Sequence, residues 1–231
     1  MRRRLILASG NRHKVTEIAE MFAASPSPIT SGMEVVSMKD LGDPPEIPET
    51  ADTFHGNAVL KARGIAAWLA SETIRAPGDD LVLADDSGIC IDAFDGAPGV
   101  YSARFAGPNA GDDDNNAKMV AELRARGLER SPAHYTCVLA VTRVDGTALG
   151  GVDIEDPLVR RMDPCVCVEG RCHGVVRTVA QGSGGFGYDP YFWVDDDAHT
   201  FADLSAEQKA VRSHRGAAVA SLLAHADRLF G

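Results

Sequence analysis

Two adjacent carboxylates, Asp85 and Asp86, follow an apolar run in the stretch LVLADDSG, residues 81–88. Successive side chains of a strand point to opposite faces, so one aspartate can face a site while the other anchors a turn, which we predict at residues 84–88. Neighbouring like charges are costly unless a cation offsets them, and Mg²⁺ held by one or two carboxylates plus substrate phosphates is a natural partner. The alternative, an Asx-type turn, explains one aspartate well and two less well.

A second polar stretch, SGNRHK at residues 9–14, lies between a predicted strand and a predicted helix. Such a turn offers backbone N–H groups and Lys14 to an anion. It is not a Walker A loop, because the pattern G-x-x-x-x-G-K is absent. The alternative is simple helix capping by Ser9 or Asn11, and these residues alone do not decide between the two.

The glycine-rich stretch GSGGFGYDP, residues 182–190, satisfies G-x-G-x-x-G letter by letter. A dinucleotide-binding fingerprint must follow a strand and open a helix, whereas these glycines lead into the strand-like YFWV. The pattern therefore predicts a loop of permissive backbone that carries Phe186, Tyr188 and Asp189, with an aromatic ring able to stack on a flat base. A tight turn with Phe186 and Tyr188 in the core is an equally good interpretation.

Two further patterns are less specific. SHRG, residues 213–216, places His214 and Arg215 at a predicted helix start, and for such a lone pair a capped surface helix is the favoured interpretation. CVCVEGRCH, residues 165–173, resembles a metal site faintly. Its spacing is not that of a zinc ribbon, so small residues in a strand are the favoured interpretation.

Strands and helices must position these groups. RRLILAS predicts a buried first strand, and DTFHGNAVLKARGIAAWLASE predicts a long helix, capped by Asp52 or Thr53, on which Asn57 and Lys61 share a face. DLVLADDSGICIDAF predicts a strand, a turn and a second strand, and the C-terminal stretch is predicted to be helical, with a capping box at Ser205 and Gln208. The elements do not alternate as regular βαβ units, so we expect a mixed α/β fold around a long twisted sheet rather than a Rossmann sheet.

Composition narrows the function classes. The net charge of −10 over 231 residues disfavours a DNA or RNA polymer as partner but allows a small phosphorylated ligand. No apolar run approaches the ~18 residues of a membrane span, so we expect no membrane association. The run after the N-terminal arginines is too short for a secretory signal. An odd cysteine count of five without an export signal predicts a reduced, cytoplasmic chain.

Taken together, five stretches resemble the inosine triphosphate pyrophosphatase family, also called the Ham1 family. In family order they are LASGNRHK, PETADTFHGNAVLKA, ADDSGICIDAFDGAPGVYSARFAG, GSGGFGYDPYF and SAEQKAVRSHRGAA. The resemblance implies an elongated mixed α/β fold, a twisted sheet flanked by helices, with two lobes and a central active-site cleft. It implies one domain over residues 1–231, with a surface insertion at about 153–164. It also implies a homodimer that uses Mg²⁺ to hydrolyse ITP, dITP and XTP to the monophosphate and pyrophosphate.

The same resemblance implies roles for individual residues. Glu49 and Asp86 would bind the metal, Asp86 would accept the proton of the attacking water, and Asp85 and Asn57 would support them. The residues implied to contact the substrate are Ser9, Asn11, Lys14, Lys61, Ser87, Phe186, Gly187, Tyr188, Asp189, Lys209, His214 and Arg215. Gly56 departs from the family pattern, in which an acid usually precedes the asparagine, and this weakens the case for a second metal ligand on that helix.

Two rival functions stay open. Maf-like pyrophosphatases also begin with a strand and a polar loop, but their opening turn carries Ser-x-Ser-x-x-Arg where this chain reads SGNRHK. The second rival is a nucleotide-binding regulatory protein without turnover. The residues Asp86, Glu49 and Lys14 argue against it, and metal-dependent turnover separates the two classes.

Overall fold

The computed structural model describes residues 2–71, 74, 76–150, 156–194 and 198–231. Strands and helices are interspersed along the chain, and the predicted fold class, a mixed α/β structure with a sheet flanked by helices, is confirmed. Among the described residues no helix is long and apolar enough to cross a membrane. The chain divides into two compact units. The first unit contains residues 1–86, 138–170 and 218–231, and the second contains residues 87–137 and 171–217.

Eight strands form one sheet within the described ranges. They are β1 (Arg4–Leu7), β2 (Glu34–Ser37), β3 (Leu81–Ile91), β4 (Arg130–Arg143), β5 (Val159–Met162), β6 (Cys165–Arg177), β7 (Phe192–Val194) and β8 (His199–Thr200). Their order is β2-β1-β3-β4-β6-β7-β8, and β5 pairs with β6. β1 runs parallel to β2 and β3, whereas β5 and β7 run antiparallel to β6. The sheet is therefore mixed, as expected.

Seven α-helices accompany the sheet in the part of the chain that the structure describes. They are α1 (Arg12–Ala23), α2 (Pro28–Ser31), α3 (Phe54–Leu69), α4 (Asp112–Ala125), α5 (Ala206–Arg212), α6 (His214–Ala224) and α7 (Ala226–Phe230). Thr53 caps α3 by accepting the Gly56 N–H at 3.1 Å, and Ser205 opens α5 with a capping box to Gln208. Both predicted helix starts are confirmed.

Small side chains bring α3 close to the sheet in the first unit. The fully buried members of this core are Ala58, Ala62, Ala84, Val138, Ala140, Cys165 and Cys167. Because alanines face alanines and cysteines, no large side chain holds the helix away from the strands. Farther along α3, Ile65 and Leu69 pack against Ile6 and Val82. The close packing of α3 brings its Asn57 and Lys61 within reach of the first-unit end of β3.

Aromatic rings dominate the core of the second unit. Tyr135 of β4 lies edge-on to Phe192, with ring centroids 4.8 Å apart, and stacks on Phe201 at 5.7 Å. Ile89 of β3 and Met119 of α4 are fully buried in the same cluster. Each aromatic ring removes a large apolar area from water, so a few rings stabilise the contact between several short elements.

One prediction about the elements is wrong. The turn predicted at residues 84–88 does not form, because β3 continues through it as a single strand. Asp85 and Asp86 each contact a lysine, so no turn is needed to keep their charges apart. The C-terminal stretch is helical as predicted; Ser213 and His225 divide it into α5, α6 and α7, and the predicted helix start at residues 213–216 is confirmed. The Ser213 hydroxyl accepts an N–H from the first turn of α6, and this favours a new helix start at that point.

The predicted surface insertion at residues 153–164 lies partly outside the described residues, since 153–155 are not described. Within the remainder, residues 159–162 form β5, with Val159 opposite Val168 and Met162 opposite Cys165 of β6. Leu158, just before the strand, is 43% exposed. The described part therefore adds a strand to the sheet, and the assignment as an insertion stays a prediction.

Candidate functional site

Four side chains of the first unit form a polar group that we call the carboxylate–lysine cluster: Glu49, Asn57, Lys61 and Asp86. The ammonium of Lys61 lies 3.1 Å from Glu49 Oε1 and 2.9 Å from Asp86 Oδ1. Asn57 Nδ2 donates to Asp86 Oδ2 at 3.4 Å. One ammonium therefore bridges two carboxylates that come from a loop and from a strand. Asn57 and Lys61 reach the same carboxylate because they are four residues apart on α3.

The loop that carries Glu49 is held against α3. The fully buried Asn57 accepts the Ala51 N–H through its Oδ1 at 2.9 Å. Gly56 permits this approach, because a Cβ at position 56 would lie 2.5 Å from the Cβ of Ala51. Asn57 thus fixes the loop with one end of its amide and contacts Asp86 with the other.

Burial and charge set the protonation of the carboxylate–lysine cluster. Burial raises the pKa of Asp86, and the Lys61 ammonium offsets this only in part. Burial alone would lower the pKa of Lys61, but the carboxylates of Asp86, Asp85 and Glu49 outweigh it, and the pKa is raised. Lys61 is therefore a cation at neutral pH, and Asp86 is a more basic carboxylate than one in water.

Asp85 lies on the opposite side of β3 from Asp86. Its Oδ2 is 2.7 Å from the ammonium of Lys14 on α1, whereas Asp86 contacts Lys61 on α3. The predicted opposite orientation of the two aspartates is confirmed. Each carboxylate has its own ammonium, which explains how adjacent acids are accommodated in a strand.

The polar turn at residues 9–14 is organised by capping. Asn11 Oδ1 accepts the Lys14 N–H at 3.4 Å, and Ser9 Oγ accepts the Asn11 N–H at 3.2 Å. The capping interpretation therefore describes the local structure. The same turn places the side chain of Lys14 beside Asp85, so capping also orients a cation.

Glu49 and Asp86 are the residues that fit a divalent cation. Their carboxylate oxygens both contact one positive group, the Lys61 ammonium, and hard oxygen donors suit Mg²⁺. Within the described ranges no group of three or more His, Cys, Asp or Glu side chains is arranged to hold a metal. These carboxylates therefore suit an ion that completes its coordination with water or phosphate oxygens.

A pocket in the second unit, which we call the aromatic pocket, gathers every substrate residue predicted for that unit. Its walls come from β3, β4, α4, the glycine-rich loop, α5 and the start of α6. The lining residues are Ser87, Gly88, Ser102, Ala103, Asp112, Asn115, Tyr135, Phe186, Gly187, Tyr188, Asp189, Lys209, Ser213, His214 and Arg215. Rings, backbone and a few polar groups in one concavity are typical of a small-molecule site.

The side chains at the start of α6 face inward. His214 is 7% exposed and Arg215 is 4% exposed, and the His214 ring stacks on Tyr135 at 4.7 Å with an angle of 11°. The favoured interpretation of this pair as a capped surface helix is therefore wrong. Arginine is rarely buried to this extent, and Arg215 lies in the wall of the aromatic pocket rather than on the surface.

In the glycine-rich loop, each of the two predicted interpretations holds for one of the two aromatic residues. Tyr188 is buried and donates its O–H to the Ser102 carbonyl at 2.9 Å, whereas the ring of Phe186 is 55% exposed. Asp189 is buried and accepts the Phe186 N–H at 2.9 Å together with the ammonium of Lys209. The loop continues into a single 3₁₀ turn at Asp189–Tyr191 and then into β7, and no α-helix opens after the glycines, so rejection of a dinucleotide fingerprint is confirmed. Tyr188 is a core residue, and Phe186 is the ring available for stacking.

Sequence reasoning missed part of the aromatic pocket. Tyr135 had the pattern of an ordinary strand residue, and nothing local indicated that His214 stacks on it. Asp112, which lines the pocket, begins α4, and an acid at a helix start is sufficiently explained by the helix dipole. Asn116 lies four residues later on the same face of α4, and this spacing is the one signal that the sequence offered for its contact with the glycine-rich loop.

The clustered cysteines belong to the sheet. Cys165, Cys167 and Cys172 all lie in β6, and burial raises the pKa of Cys165 to about 11 and that of Cys167 to about 12. The prediction of small strand residues is confirmed.

Comparison with known proteins places the chain in a family. The sequence model of the Ham1 family matches residues 5–225. The chain belongs to the Ham1 family. A dITP/XTP pyrophosphatase of Geobacillus kaustophilus is 38% identical over 218 residues, 94% of this chain and 91% of that protein. One from Geobacter sulfurreducens is 37% identical and covers 96% of both chains. The solved structure of a HAM1 protein from Coxiella burnetii aligns with a TM-score of 0.77 at 30% identity, over 97% of this chain and 98% of that chain.

Proposed function

We propose that this protein hydrolyses dITP, XTP and ITP to the nucleoside monophosphate and pyrophosphate, and thereby removes non-canonical purine nucleotides from the nucleotide pool. The names of the two bacterial relatives support dITP and XTP as substrates. The observation that carries the proposal is the Lys61 ammonium, which bridges Glu49 and Asp86 in a half-buried setting. Paired carboxylates beside a cation are the groups that phosphate hydrolysis requires.

The carboxylate–lysine cluster is proposed to carry the chemistry. Asp86 would accept the proton of the water that attacks the α-phosphorus, because its carboxylate is buried and more basic than one in water. Lys61 and Lys14 would neutralise the triphosphate and the leaving pyrophosphate, and Ser9 and Asn11 would add hydrogen bonds. Catalysis would come mainly from positioning and charge stabilisation.

Mg²⁺ is the proposed cofactor, with Glu49 and Asp86 as its protein ligands. The ion would withdraw charge from the phosphate oxygens when it is bound. Gly56 adds no further ligand on α3, so substrate oxygens would complete the coordination shell. Turnover measured with and without added Mg²⁺, after treatment with a chelator, tests this dependence.

The aromatic pocket is proposed to select the base. Phe186 would stack on the purine ring, and Tyr188, Asp189, Lys209, His214 and Arg215 would shape the polar end of the pocket, with Ser87 and Gly187 at its edge. Arg215 can donate a hydrogen bond to a 6-oxo group, whereas the amine of adenine, itself a donor, would be left unpaired. Sites built on hydrogen bonds discriminate by about 10⁴ or more, whereas apolar pockets reach about 10².

Three further proposals concern the whole protein. Residues 1–231 are proposed to act as one Ham1-like domain, since β3, β4 and β6 each contain residues of both units. A homodimer and a cytoplasmic location complete the proposal. Sedimentation analysis of the purified protein tests the dimer, and fractionation of cells tests the location.

The first experiment supplies the purified protein with Mg²⁺ and, in parallel, ITP, dITP, XTP, GTP and ATP, and assays pyrophosphate and orthophosphate separately. Pyrophosphate from ITP, dITP and XTP, with little from GTP or ATP, is the expected result. Orthophosphate instead would place the attack at another phosphorus. Binding of nucleotides without any turnover would favour the rival regulatory function, and a different base preference would favour a Maf-like activity.

A further inference from the structure

Two side chains of α4 bind the backbone of Gly187, one at its N–H and the other at its carbonyl oxygen. We call these two residues, Asp112 and Asn116, the Gly187 clamp. Asp112 Oδ2 accepts the Gly187 N–H at 2.7 Å. Asn116 Nδ2 donates to the Gly187 carbonyl oxygen at 2.9 Å. The two residues are four apart on one helix, so a single helical face contacts both polar groups of one glycine. The orientation of this residue is therefore tied to α4.

The backbone conformation of Gly187 explains why these two hydrogen bonds are important. Its φ is +61°, in the left-handed region that favours glycine, and a Cβ built there would meet nothing within 4 Å. Glycine has no side chain to restrain its backbone, so the hydrogen bonds that the N–H and carbonyl of Gly187 make with α4 help to hold this conformation.

The neighbour of Gly187 is Phe186, the ring available to a base. That ring is 55% exposed, so core packing does not fix it. It is oriented by its backbone, through the Phe186 N–H to Asp189, and by the Lys209 ammonium 4.8 Å from the ring centre. A change in the Gly187 peptide would turn the Phe186 ring.

The burial and hydrogen bonding of Asn116 indicate that the donor of its side-chain amide, Nδ2, is the useful part of this residue. Its side chain is 6% exposed, and its Oδ1 makes no hydrogen bond within the described residues. An unsatisfied buried amide oxygen costs free energy that an apolar side chain of the same size would avoid. The amide is therefore best explained by its contact with the Gly187 carbonyl.

We propose that Asp112 and Asn116 are positioning residues for base binding, which act through the Gly187 peptide to set the Phe186 ring. The proposal rests on the proposed function, because it assumes that Phe186 stacks on a purine. It adds two residues of α4 that contact no reacting atom. Loss of either should weaken nucleotide binding and leave the chemistry of the phosphates unchanged.

The test compares Asp112→Ala with Asp113→Ala. Both changes remove one exposed carboxylate from the first turn of α4, but only Asp112 contacts Gly187. We expect Asp112→Ala to raise the KM for dITP about tenfold, as loss of a charge-assisted hydrogen bond does, with kcat within about twofold. Asp113→Ala should leave both constants unchanged. Asp112→Asn keeps an acceptor oxygen and should restore most of the affinity, and Asn116→Ala should repeat the loss.

Two readouts separate positioning from a general loss of structure. Calorimetric affinity for inorganic triphosphate, which has no base, should be the same in Asp112→Ala and the wild type. In a Phe186→Ala background, Asp112→Ala should add no further loss of dITP affinity, because residues that act through one another are non-additive. Additive losses, equal weakening of inorganic triphosphate, or equal effects of the two alanine variants would each overturn the positioning role.

Measuring the dITP affinity of the wild type separates a failure of the positioning role from a failure of the proposed function. A wild type that binds dITP while Asp112→Ala binds it equally well overturns the positioning role alone. A wild type that neither binds nor hydrolyses dITP overturns the proposed function together with it. Melting temperatures of all variants show whether a loss of affinity reflects a loss of folding.

Discussion

The carboxylate–lysine cluster and the aromatic pocket are formed by different kinds of side chain. The cluster has charged groups set beside small buried residues, so an ammonium and two carboxylates meet within about 3 Å. The pocket has stacked rings and backbone contacts, with Tyr135 against His214 and an exposed Phe186 at the edge. The first arrangement suits charge that develops during a reaction. The second suits a flat apolar ligand with a few polar edges.

This difference predicts how each region responds to change. Substitutions in the cluster should reduce turnover while nucleotide binding largely persists, because Ser9, Asn11 and Lys14, which are also proposed to contact the phosphates, are unchanged. Substitutions in the pocket should weaken binding while the chemical step persists. A variant of either region that showed the opposite pattern would break the assignment of roles.

The largest effect is expected for Asp86→Asn. The amide keeps the shape of the carboxylate but cannot accept a proton and binds a cation poorly, so turnover should fall by about 10³-fold or more. Nucleotide affinity should fall only modestly. Steady-state kinetics for XTP together with calorimetric binding measure both quantities.

A matched control for Asp86→Asn is Asp92→Asn, which makes the same change at an exposed position just after the end of β3. It should leave turnover within about twofold of wild type, as surface substitutions usually do. Substantial turnover retained by Asp86→Asn would remove Asp86 from the central role.

The next effect is expected for Phe186→Ala. Stacking of a base on an aromatic ring contributes about 1–3 kcal/mol, so the KM for dITP should rise roughly tenfold or more while kcat changes little. Val211→Ala is the control, since it removes apolar surface from an 82% exposed side chain of the same unit. An unchanged KM in Phe186→Ala would show that the ring does not contact the base.

A smaller effect on activity is expected for alanine substitution of Gly56 in α3, and no comparable effect is expected for Gly64 in the same helix. Alanine raises helix propensity at either site by about 1 kcal/mol. At position 56, however, the new Cβ would lie 2.5 Å from the Cβ of Ala51, and the loop that carries Glu49 must move. Gly56→Ala should lower kcat several-fold, because misplacement of a catalytic group is costly.

Gly64→Ala is the control for that loop movement. Its Cβ would meet three atoms of the Ile47 side chain, Cδ1 at 2.5 Å, Cγ1 at 3.0 Å and Cγ2 at 3.3 Å. A change of side-chain rotamer can relieve this contact, whereas the Cβ of Ala51 can move only with its backbone. Activity of Gly64→Ala should stay within about twofold of wild type. Equal losses in both variants would show that the contact between Gly56 and Ala51 does not position Glu49.

The sequence predicted the groups of the site better than the elements that hold them. Helix periodicity placed Asn57 and Lys61 on one face, and strand alternation separated Asp85 from Asp86, because both are local consequences of backbone geometry. The turn at 84–88 was wrong because the acids are offset by Lys14 and Lys61, which lie far away in sequence. Long-range pairs of this kind leave no local pattern.

The aromatic pocket was harder to predict for the same reason. Its glycine-rich loop is recognisable, but the burial of His214 depends on Tyr135, and the conformation of Gly187 depends on α4. A lone histidine or a helix-start acid is usually explained by the surface helix it belongs to. Only the tertiary structure shows that His214 stacks on Tyr135 and that Asp112 binds the Gly187 N–H.

The smallest difference expected between the regions is in thiol reactivity. Cys165 and Cys167 lie fully buried in the core beside the carboxylate–lysine cluster, with the pKa of their thiols raised by burial to about 11 and about 12, whereas Cys90 and Cys172 of the second unit are half-buried. The thiolate is the reactive form, and a rise of two pKa units lowers its population about 100-fold at pH 8. A disulfide reagent that reports released thiolate should therefore label Cys90 and Cys172 first in the folded protein, and all five cysteines after denaturation. Peptide mapping identifies the labelled sites. Early labelling of Cys165 or Cys167 would mean that the core under α3 opens more readily than its close packing of alanines implies.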